Sequence, residues 1–442
     1  MFPTAAAAEA AGYRACLRCR PYRMPPVSLD REPEIVCRAV RLVLDGALDD
    51  DTEVALAYRL GISARHLRRL FTTHLGATPD ALARSARAHF ARRLLDETDL
   101  TITEVAHVAG FGSARQFNRV IRAVFRATPS ALRAKRRRSD QLATDGGLAL
   151  RLAYHGELDW PAMVGCLAQT ATPGVEQVCG GTYRRTVLVD GEPGVLELMP
   201  GGEDHLVLRA HLPHWDKLLH IVRQARHIAS LDLDPAEGVR RLGRDPIIGP
   251  LVRARPGIRI PGAWDAFETG VRALIARRRT PATIRALIAR LVERYGRPVP
   301  GLAELGLTHL FPEPRVLATQ DLTSIGVSPK NAAAVRSWAA ATVEDPGRFD
   351  RGLGLRQTLA TIGAVAGVGT QTAHQIALRL GEPDAFPLSD QQLIHRLGRP
   401  NGSTRRLGTA LSDRWRPWRA LVVAQLWAAR RLPEEIDQQG AA

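Results

Sequence analysis

The sequence predicts a mainly α protein that contains one α+β subdomain. Two similar helical units follow one another in the first third of the chain, and a longer helical block comes last. Between them, alternating apolar and polar residues predict strands at 183 to 189, 194 to 199 and 205 to 211. The 442 residues exceed one ordinary core. We therefore predict a tail (1–27), a helical domain (28–139), an α+β subdomain (148–250) and an all-α domain (251–436).

Charge and cysteine usage limit the partners and the compartment. The formal charge of +16 and the pI near 10.7 predict a polyanionic partner, and we expect nucleic acid rather than a membrane. The five cysteines form no regular framework, which indicates a reducing compartment. The first residues lack the pattern of a signal peptide, and no run approaches 18 apolar residues. These observations predict a cytoplasmic protein.

The two helical units lie at 54–71 and 102–125. Each combines an Ala-rich amphipathic helix, a turn with glycine, a serine N-cap at Ser63 or Ser113, and a second helix rich in Arg, His, Gln and Asn. That order is the helix-turn-helix plan, whose second helix enters the major groove of DNA. Residues 59 to 138 hold 17 Arg and Lys against 5 Asp and Glu, a charge suited to phosphates. The plainer alternative is two helical hairpins with solvated charged faces.

The second unit carries a recognisable signature. The stretch GFGSARQFNRVIRAVFRATPSALR (110–133) resembles the C-terminal signature of AraC-type regulators, and the resemblance covers about residues 30 to 138. It implies a tandem helix-turn-helix domain that binds double-stranded DNA. The side chains that it places towards DNA are Arg65, His66, Arg68 and Arg69 in the first unit, and Arg115, Gln116, Asn118 and Arg119 in the second.

Cys16 and Cys19 form a C-x-x-C pair, which is half of a tetrahedral thiolate zinc site. The surrounding PTAAAAEAAGYRACLRCRP resembles the end of the metal-binding, methyl-accepting module of Ada-type proteins. In that family an earlier cysteine pair completes the site and supplies the methyl acceptor. The sequence starts after the place of that pair, which suggests a truncated gene model or a decayed module. We expect an incomplete zinc site and no methyltransferase activity.

The stretch AGVGTQTA (366–373) has the pattern of a tight turn that leads into a helix. Glycines let the backbone approach a ligand, and consecutive N–H groups at a helix start form an anion nest. One DNA phosphate would fit there, against Gly367, Val368, Gly369 and Thr372. The alternative is a plain connection between two helices. An isolated carboxylate, Asp390, follows in a loop that contains proline.

Helix, G-V-G, helix and a following Asp form the arrangement of the helix-hairpin-helix DNA glycosylases. Residues 148 to 436 resemble 3-methyladenine DNA glycosylase II, the AlkA type, most clearly at 255–275, 383–390 and 414–435. The resemblance implies an all-α helix-hairpin-helix domain that excises alkylated bases without a cofactor, preceded by a small α+β subdomain.

One carboxylate is enough for that chemistry. Loss of a base generates an oxocarbenium-like sugar, which Asp390 can stabilise while it orients or deprotonates water. An alkylated, cationic base leaves without prior protonation, so no second acid is needed. Asp390 could instead be the N-cap of the helix that follows it. Strand-cutting relatives carry a lysine where this chain has Gln371, which predicts a monofunctional enzyme. The absence of four cysteines after the hairpin excludes an iron–sulfur cluster.

The sequence departs from these relatives at the wedge and in the base pocket. Arg278 stands where they insert an apolar side chain into the duplex, and Gln371, Gln375 and Gln391 replace their pocket aromatics. Trp427 remains as an aromatic at a matching position, with a core tryptophan as the alternative. Two other functions therefore stay open: a transcription regulator that has lost catalysis, and a glycosylase whose glutamines read polar edges of another lesion. We expect a monomer.

Overall fold

The computed structural model describes residues 2–16, 33–49, 51–137, 140–142, 147–387 and 412–429. Asp390, Gln391 and Cys19 therefore lie outside the described residues. Within them the chain is mainly helical, and its one sheet lies between two helical blocks. The predicted fold class is confirmed.

The N-terminal block is made of helices, and their caps follow the predicted pattern. The Ser63 and Ser113 side chains accept from the backbone N–H groups of His66 and Gln116, so both predicted N-caps are confirmed. The first unit consists of α3 and α4, the second of α6 and α7, and a long α5 joins them. The bounds are α1 Ala5–Ala10, α2 Glu34–Leu44, α3 Glu53–Arg59, α4 Ala64–Leu75, α5 Pro79–Glu97, α6 Ile102–Val108, α7 Ala114–Phe125 and α8 Pro129–Ala134.

The middle block contains an antiparallel sheet in the order β1-β5-β4-β3-β2. The three predicted strands are confirmed to within two residues at each end, and the structure adds an edge strand on either side. Helix α9 packs on β2 and β3. The bounds are β1 Leu148–Ala153, α9 Trp160–Thr170, β2 Glu176–Cys179, β3 Thr182–Val189, β4 Glu192–Pro200, β5 His205–His211 and α10 Leu218–Ile228.

The C-terminal block packs around α13, which contacts α16 and α18. Gly270 makes the first contact possible, because a Cβ there would come within 2.1 Å of the Trp338 ring. Helices α17 and α18 form the hairpin. The bounds are α11 Ala236–Leu242, α12 Gly249–Ala254, α13 Ala266–Ile275, α14 Pro281–Tyr295, α15 Pro314–Leu317, α16 Pro329–Glu344, α17 Leu355–Gly363, α18 Thr370–Arg379 and α19 Arg419–Ala428.

The two helix-turn-helix units belong to different cores. Leu67 and Phe71 of the first unit are buried in a core that the segments from α1 to α5 form. Phe117 and Ile121 of the second unit are buried in a core that continues through the sheet and α10. The first unit meets the rest of the chain through polar contacts, such as Arg59 Nη2 to Asp350 Oδ2 at 3.3 Å.

Candidate nucleic-acid interface

The first recognition helix, α4, exposes a row of basic side chains. Arg65, Arg68 and Arg69 are exposed, and His66 is half-buried. Arg68 Nε forms an ion pair with the Glu53 carboxylate of α3, and Arg69 Nη2 lies 2.9 Å from His66 Nδ1. The predicted DNA-facing residues therefore lie together on one helix, and one of them already has an acidic partner.

The second recognition helix, α7, presents its side chains differently. Arg115, Gln116 and Arg119 are exposed. Gln116 Oε1 accepts from Gly112 N–H at 3.1 Å, and Asn118 Nδ2 donates to Ala114 O at 2.8 Å. In the part of the chain that the structure describes, no ion pair joins Arg115 or Arg119 to a carboxylate. Both guanidinium groups are available to phosphates or to guanine edges.

The hairpin turn lies between α17 and α18. Gly367 has φ 83, and a Cβ there would lie 2.8 Å from the Cβ of Ala334 on α16, so only glycine fits. The N-cap of α18 is Gly369, and no side chain caps this helix start. The first turn of a helix leaves N–H groups without an intrahelical acceptor, which suits an anion. Thr372 is buried behind the turn.

The loop from 276 to 280 approaches this hairpin. Arg278 is exposed and has φ 53, a left-handed conformation that is uncommon for residues other than glycine. Its neighbour Arg277 donates from Nη2 to Gly367 O at 2.6 Å and from Nε to Thr372 Oγ1 at 3.0 Å. These contacts of Arg277 were not predicted from the sequence. The run of three arginines was visible, but nothing in it distinguishes the member that turns inward.

The structure describes three of the four predicted pocket residues, and Gln391 lies outside the described residues. Gln371 and Gln375 lie one helical turn apart on α18 and are half-buried. Trp427 is half-buried on α19 and packs against the core that α12 and α19 share. The structure thus brings the two glutamines together on one helix.

The chain that leaves α18 towards Asp390 is firmly held. Arg419 donates from Nε to Asp384 Oδ1 at 2.7 Å, and Ala420 N–H donates to Pro383 O at 2.9 Å. Phe386 is buried, and its N–H donates to His374 Nδ1 at 3.3 Å. Burial lowers the pKa of His374, which keeps that nitrogen an acceptor. The last described residues before Asp390 are therefore fixed between α18 and α19.

A buried ion cluster joins the sheet to α13, the helix that leads into the loop 276–280. Arg185 Nη2 donates to Glu268 Oε2 at 2.8 Å, and Arg272 Nη1 donates to Glu176 Oε2 at 2.9 Å. Although desolvation opposes them, Arg272 and Arg185 lower the pKa of Glu176 to about 2. Desolvation and then the Glu268 carboxylate raise the pKa of Asp265 to about 6. The cluster fixes α13 against the sheet.

The N-terminal cysteine pair is covered only in part. Cys16 is exposed just beyond α1, and Cys19 lies outside the described residues. Among the side chains that the structure describes, no group of three or more could hold a metal ion together. These residues do not fit a four-ligand zinc site. In the same described part of the chain, every helix is too short or too polar to span a bilayer.

Comparisons with known proteins agree with this division of the chain. The family model described as a helix-turn-helix domain matches residues 56–135, and the AlkA N-terminal domain matches 149–265. The metal binding domain of Ada matches 1–22. The chain is 38% identical over 438 residues to the "probable bifunctional transcriptional activator/DNA repair enzyme AlkA" of Mycobacterium tuberculosis (strain H37Rv). That match covers 98% of this chain and 88% of the relative.

The chain belongs to the AlkA family. A second AlkA-type relative, DNA-3-methyladenine glycosylase 2 of Escherichia coli (strain K12), is 30% identical over 293 residues, which are 62% of this chain and 95% of that protein. This member of the AlkA family therefore joins an AraC-type regulator block to a DNA glycosylase.

Solved structures agree on the fold. The 3-methyladenine DNA glycosylase of Archaeoglobus fulgidus has a TM-score of 0.55 at 19% identity and covers 64% of this chain and 98% of its own. The 8-oxoguanine glycosylase/lyase of Clostridium acetobutylicum, bound to double-stranded DNA, has a TM-score of 0.51 at 17% identity. It covers 65% of this chain and 96% of its own. The AlkA-family part of this chain thus has the helix-hairpin-helix glycosylase fold.

Proposed function

We propose that this chain is a monofunctional DNA glycosylase that removes alkylated bases from double-stranded DNA, and that its AraC-type block is a second DNA-binding unit. The observation that carries the proposal is the meeting of the loop 276–280 with the uncapped start of α18. A hairpin phosphate and a base extruded beside Arg278 would then lie next to each other. Gly367, Val368 and Gly369 would bind the phosphate with backbone groups, with Thr372 supporting the turn.

Asp390 is the proposed catalytic residue. It would stabilise the oxocarbenium-like sugar and orient the attacking water. The fixed segment at 383–387 supports this role, because it is held against α18, the second helix of the hairpin, by the bond from Phe386 N–H to His374 Nδ1. A charged leaving base needs no general acid, so the proposal requires no second carboxylate.

Strand cleavage is not part of the proposal. A lyase needs an amine close to the extruded sugar to form a Schiff base. In the first turn of α18 the residue at the position of the lyase lysine is Gln371, which has no amine. Lys330 lies on a different helix, exposed in the first turn of α16. The product would therefore be an intact strand with an abasic site.

The pocket supports a second candidate, a glycosylase for a lesion with polar edges. Gln371 and Gln375 are four residues apart on one helix, so their amides face the same side. Amides pair with base edges by hydrogen bonds, whereas aromatic rings stack on electron-poor bases. In this candidate Gln391 would join them and Trp427 would be the remaining stacking partner.

The remaining features follow from this function. We propose a monomer that acts in the cytoplasm and needs no cofactor for excision. Cys16 and Cys19 would form at most an incomplete zinc site, and no step of the reaction uses it.

The test is excision from defined duplexes. Duplexes that contain 3-methyladenine, 7-methylguanine, hypoxanthine or ethenoadenine are incubated with the protein and then treated with alkali. We expect alkali-dependent breaks with the wild type and at least a 10³-fold slower reaction, by order of magnitude, with Asp390→Asn. Asp204→Asn is the matched control and should cleave normally, because Asp204 is an exposed aspartate in the turn between β4 and β5.

The lesion that is cut identifies the candidate. Cleavage of the methylated purines supports the first, and cleavage of hypoxanthine or ethenoadenine alone supports the polar pocket. No cleavage of any lesion would contradict the enzyme and favour a regulator that has lost catalysis.

A further inference from the structure

Arg277 makes contacts that neither the predicted phosphate site nor the predicted wedge explains. Its guanidinium extends from the loop 276–280 to the hairpin, where it donates to Gly367 O at 2.6 Å and to Thr372 Oγ1 at 3.0 Å. One acceptor precedes the start of α18, and the other lies in its first turn. A single side chain therefore spans the turn that the phosphate would occupy.

Both acceptors of Arg277 are held in place. Gly367 is packed against Ala334 so closely that a Cβ would come within 2.8 Å of the alanine Cβ. Thr372 is only 3% exposed. The hairpin side of the contact is therefore rigid, and any freedom lies on the side of the loop.

The loop needs such a restraint. Arg278 has φ 53, where the Cβ of an arginine is crowded by its own backbone. Within the loop, Arg279 N–H donates to Ala276 O at 3.2 Å. The hydrogen bonds of Arg277 fix the residue next to Arg278. They therefore help to keep Arg278 in its left-handed conformation, with its side chain exposed to solvent.

The charge of Arg277 has no acidic partner in the part of the chain that the structure describes. Desolvation is the sole cause that lowers the pKa of this guanidinium, with no carboxylate to raise it. The start of α18 beside it carries the positive end of the helix dipole. A half-buried cation next to a helix start favours an anion at the turn.

We propose that Arg277 is a positioning residue that fixes the loop of Arg278 to the hairpin and takes a DNA backbone phosphate as its counter-charge. The inference rests on the proposed function, since it uses the same hairpin and the same extruded base. It adds a link between them: a phosphate bound at the turn stabilises the loop conformation that opens the duplex. Arg277 would act through Arg278, without touching the sugar.

Substitutions at both ends of the contact separate charge from geometry. Arg277→Gln removes the charge, whereas Arg277→Lys keeps it and loses the two-point contact. Thr372→Val removes one acceptor without changing charge, and Thr372→Ser keeps the hydroxyl. Arg279→Gln is the matched control, because it removes the same charge from the same loop without a hairpin contact. Thermal unfolding confirms that each variant is folded.

Opening of the duplex is measured without catalysis. A 2-aminopurine is placed beside a tetrahydrofuran abasic analogue, and its fluorescence rises when the neighbouring stack opens. We expect Arg277→Gln, Arg277→Lys and Thr372→Val to lose most of this rise, and Thr372→Ser and Arg279→Gln to keep it. Single-turnover excision should fall about 10²-fold in Arg277→Gln, as expected for a misplaced group. It should fall much less for a lesion in a bulge, which is already unstacked.

The phosphate is tested through salt and through the backbone itself. The affinity for DNA falls with salt, and loss of one phosphate contact makes the slope of log affinity against log salt shallower by about 0.9. We expect this change for Arg277→Gln but not for Arg277→Lys. A duplex with one neutral methylphosphonate, scanned along the strand near the analogue, should weaken wild-type binding at one linkage. Arg277→Gln should lose nothing further at that linkage.

The inference is overturned if Arg277→Gln matches Arg279→Gln in fluorescence and excision, or if every methylphosphonate weakens both proteins equally. Full fluorescence with Thr372→Val would also contradict it. The outcome is separate from that of the proposed function. A wild type that opens the duplex but excises no base refutes the glycosylase activity without contradicting the proposed role of Arg277. A wild type that excises normally, with Arg277→Gln unaffected, refutes only the role of Arg277.

Discussion

The two helix-turn-helix units of this chain have the same plan and different surroundings. In the first, Arg68 of α4 is paired with Glu53 of α3, and the core is formed by the segments from α1 to α5. In the second, Arg115 and Arg119 of α7 have no carboxylate partner in the described part of the chain, and the core continues into the sheet. Repetition of a sequence motif thus does not give two equal DNA-binding surfaces.

The difference leads us to expect unequal DNA affinities from the two units. A guanidinium that is already paired must lose a partner before it binds a phosphate, so the first unit gains less from DNA. We expect the second unit to bind DNA without that cost. Its core is shared with the sheet and α10. We expect the second unit to contribute most of the affinity of the block.

The largest effect is expected from opening the two cores. Phe71→Ala and Phe117→Ala each remove a fully buried ring, which costs about 3–5 kcal/mol of the free energy of unfolding. Hydrogen exchange should show lost protection in α2 to α5 for Phe71→Ala. For Phe117→Ala the loss should extend into β5 and α10. Phe71→Leu and Phe117→Leu are the matched controls with smaller losses. Spread into the sheet from Phe71→Ala alone would contradict the separation of the cores.

The next effect concerns DNA affinity of the two recognition helices. Arg115→Ala with Arg119→Ala should weaken binding to an undamaged duplex about 10- to 100-fold and lower the salt slope by about 2. Arg68→Ala with Arg69→Ala should weaken binding less than about tenfold. In the free wild-type protein Arg68 is already paired with Glu53, so its contact with DNA adds less free energy. Fluorescence anisotropy at several salt concentrations measures both. Equal losses would contradict the difference between the units.

The smallest effect sharpens the same comparison. In the structure Asp80 N–H donates to Glu53 Oε1 at 3.2 Å. Glu53→Gln keeps an oxygen that can accept this bond but removes the charge that pairs with Arg68. The Arg68 end of the pair is exposed, and an ion pair at the surface contributes about 0–1 kcal/mol, so affinity for DNA should rise by no more than about fivefold. Glu203→Gln, on an exposed turn of the sheet, is the control for the change in net charge. An equal rise in both variants would mean that only overall charge matters.

Much of this organisation could be predicted from local sequence. Caps such as Ser63 and Ser113 act within three residues, and alternation over six or more residues marks a strand, so both were visible in the sequence. The partner of Arg68 and the inward turn of Arg277 depend on contacts across 15 and 95 residues of chain, which no local pattern encodes. Asp390 and Gln391 stay predictions, since they lie outside the described residues.

The most direct test of the central claim is release of a base from an unbroken strand. Duplex DNA methylated with a labelled reagent is incubated with the protein, the free bases are separated by chromatography, and the strands are sized under neutral denaturing conditions. For a monofunctional glycosylase we expect free methylated purine, full-length strands until alkali is added, and no protein–DNA adduct after borohydride. Absence of free base, or strand breaks and a trapped adduct without alkali, would contradict it.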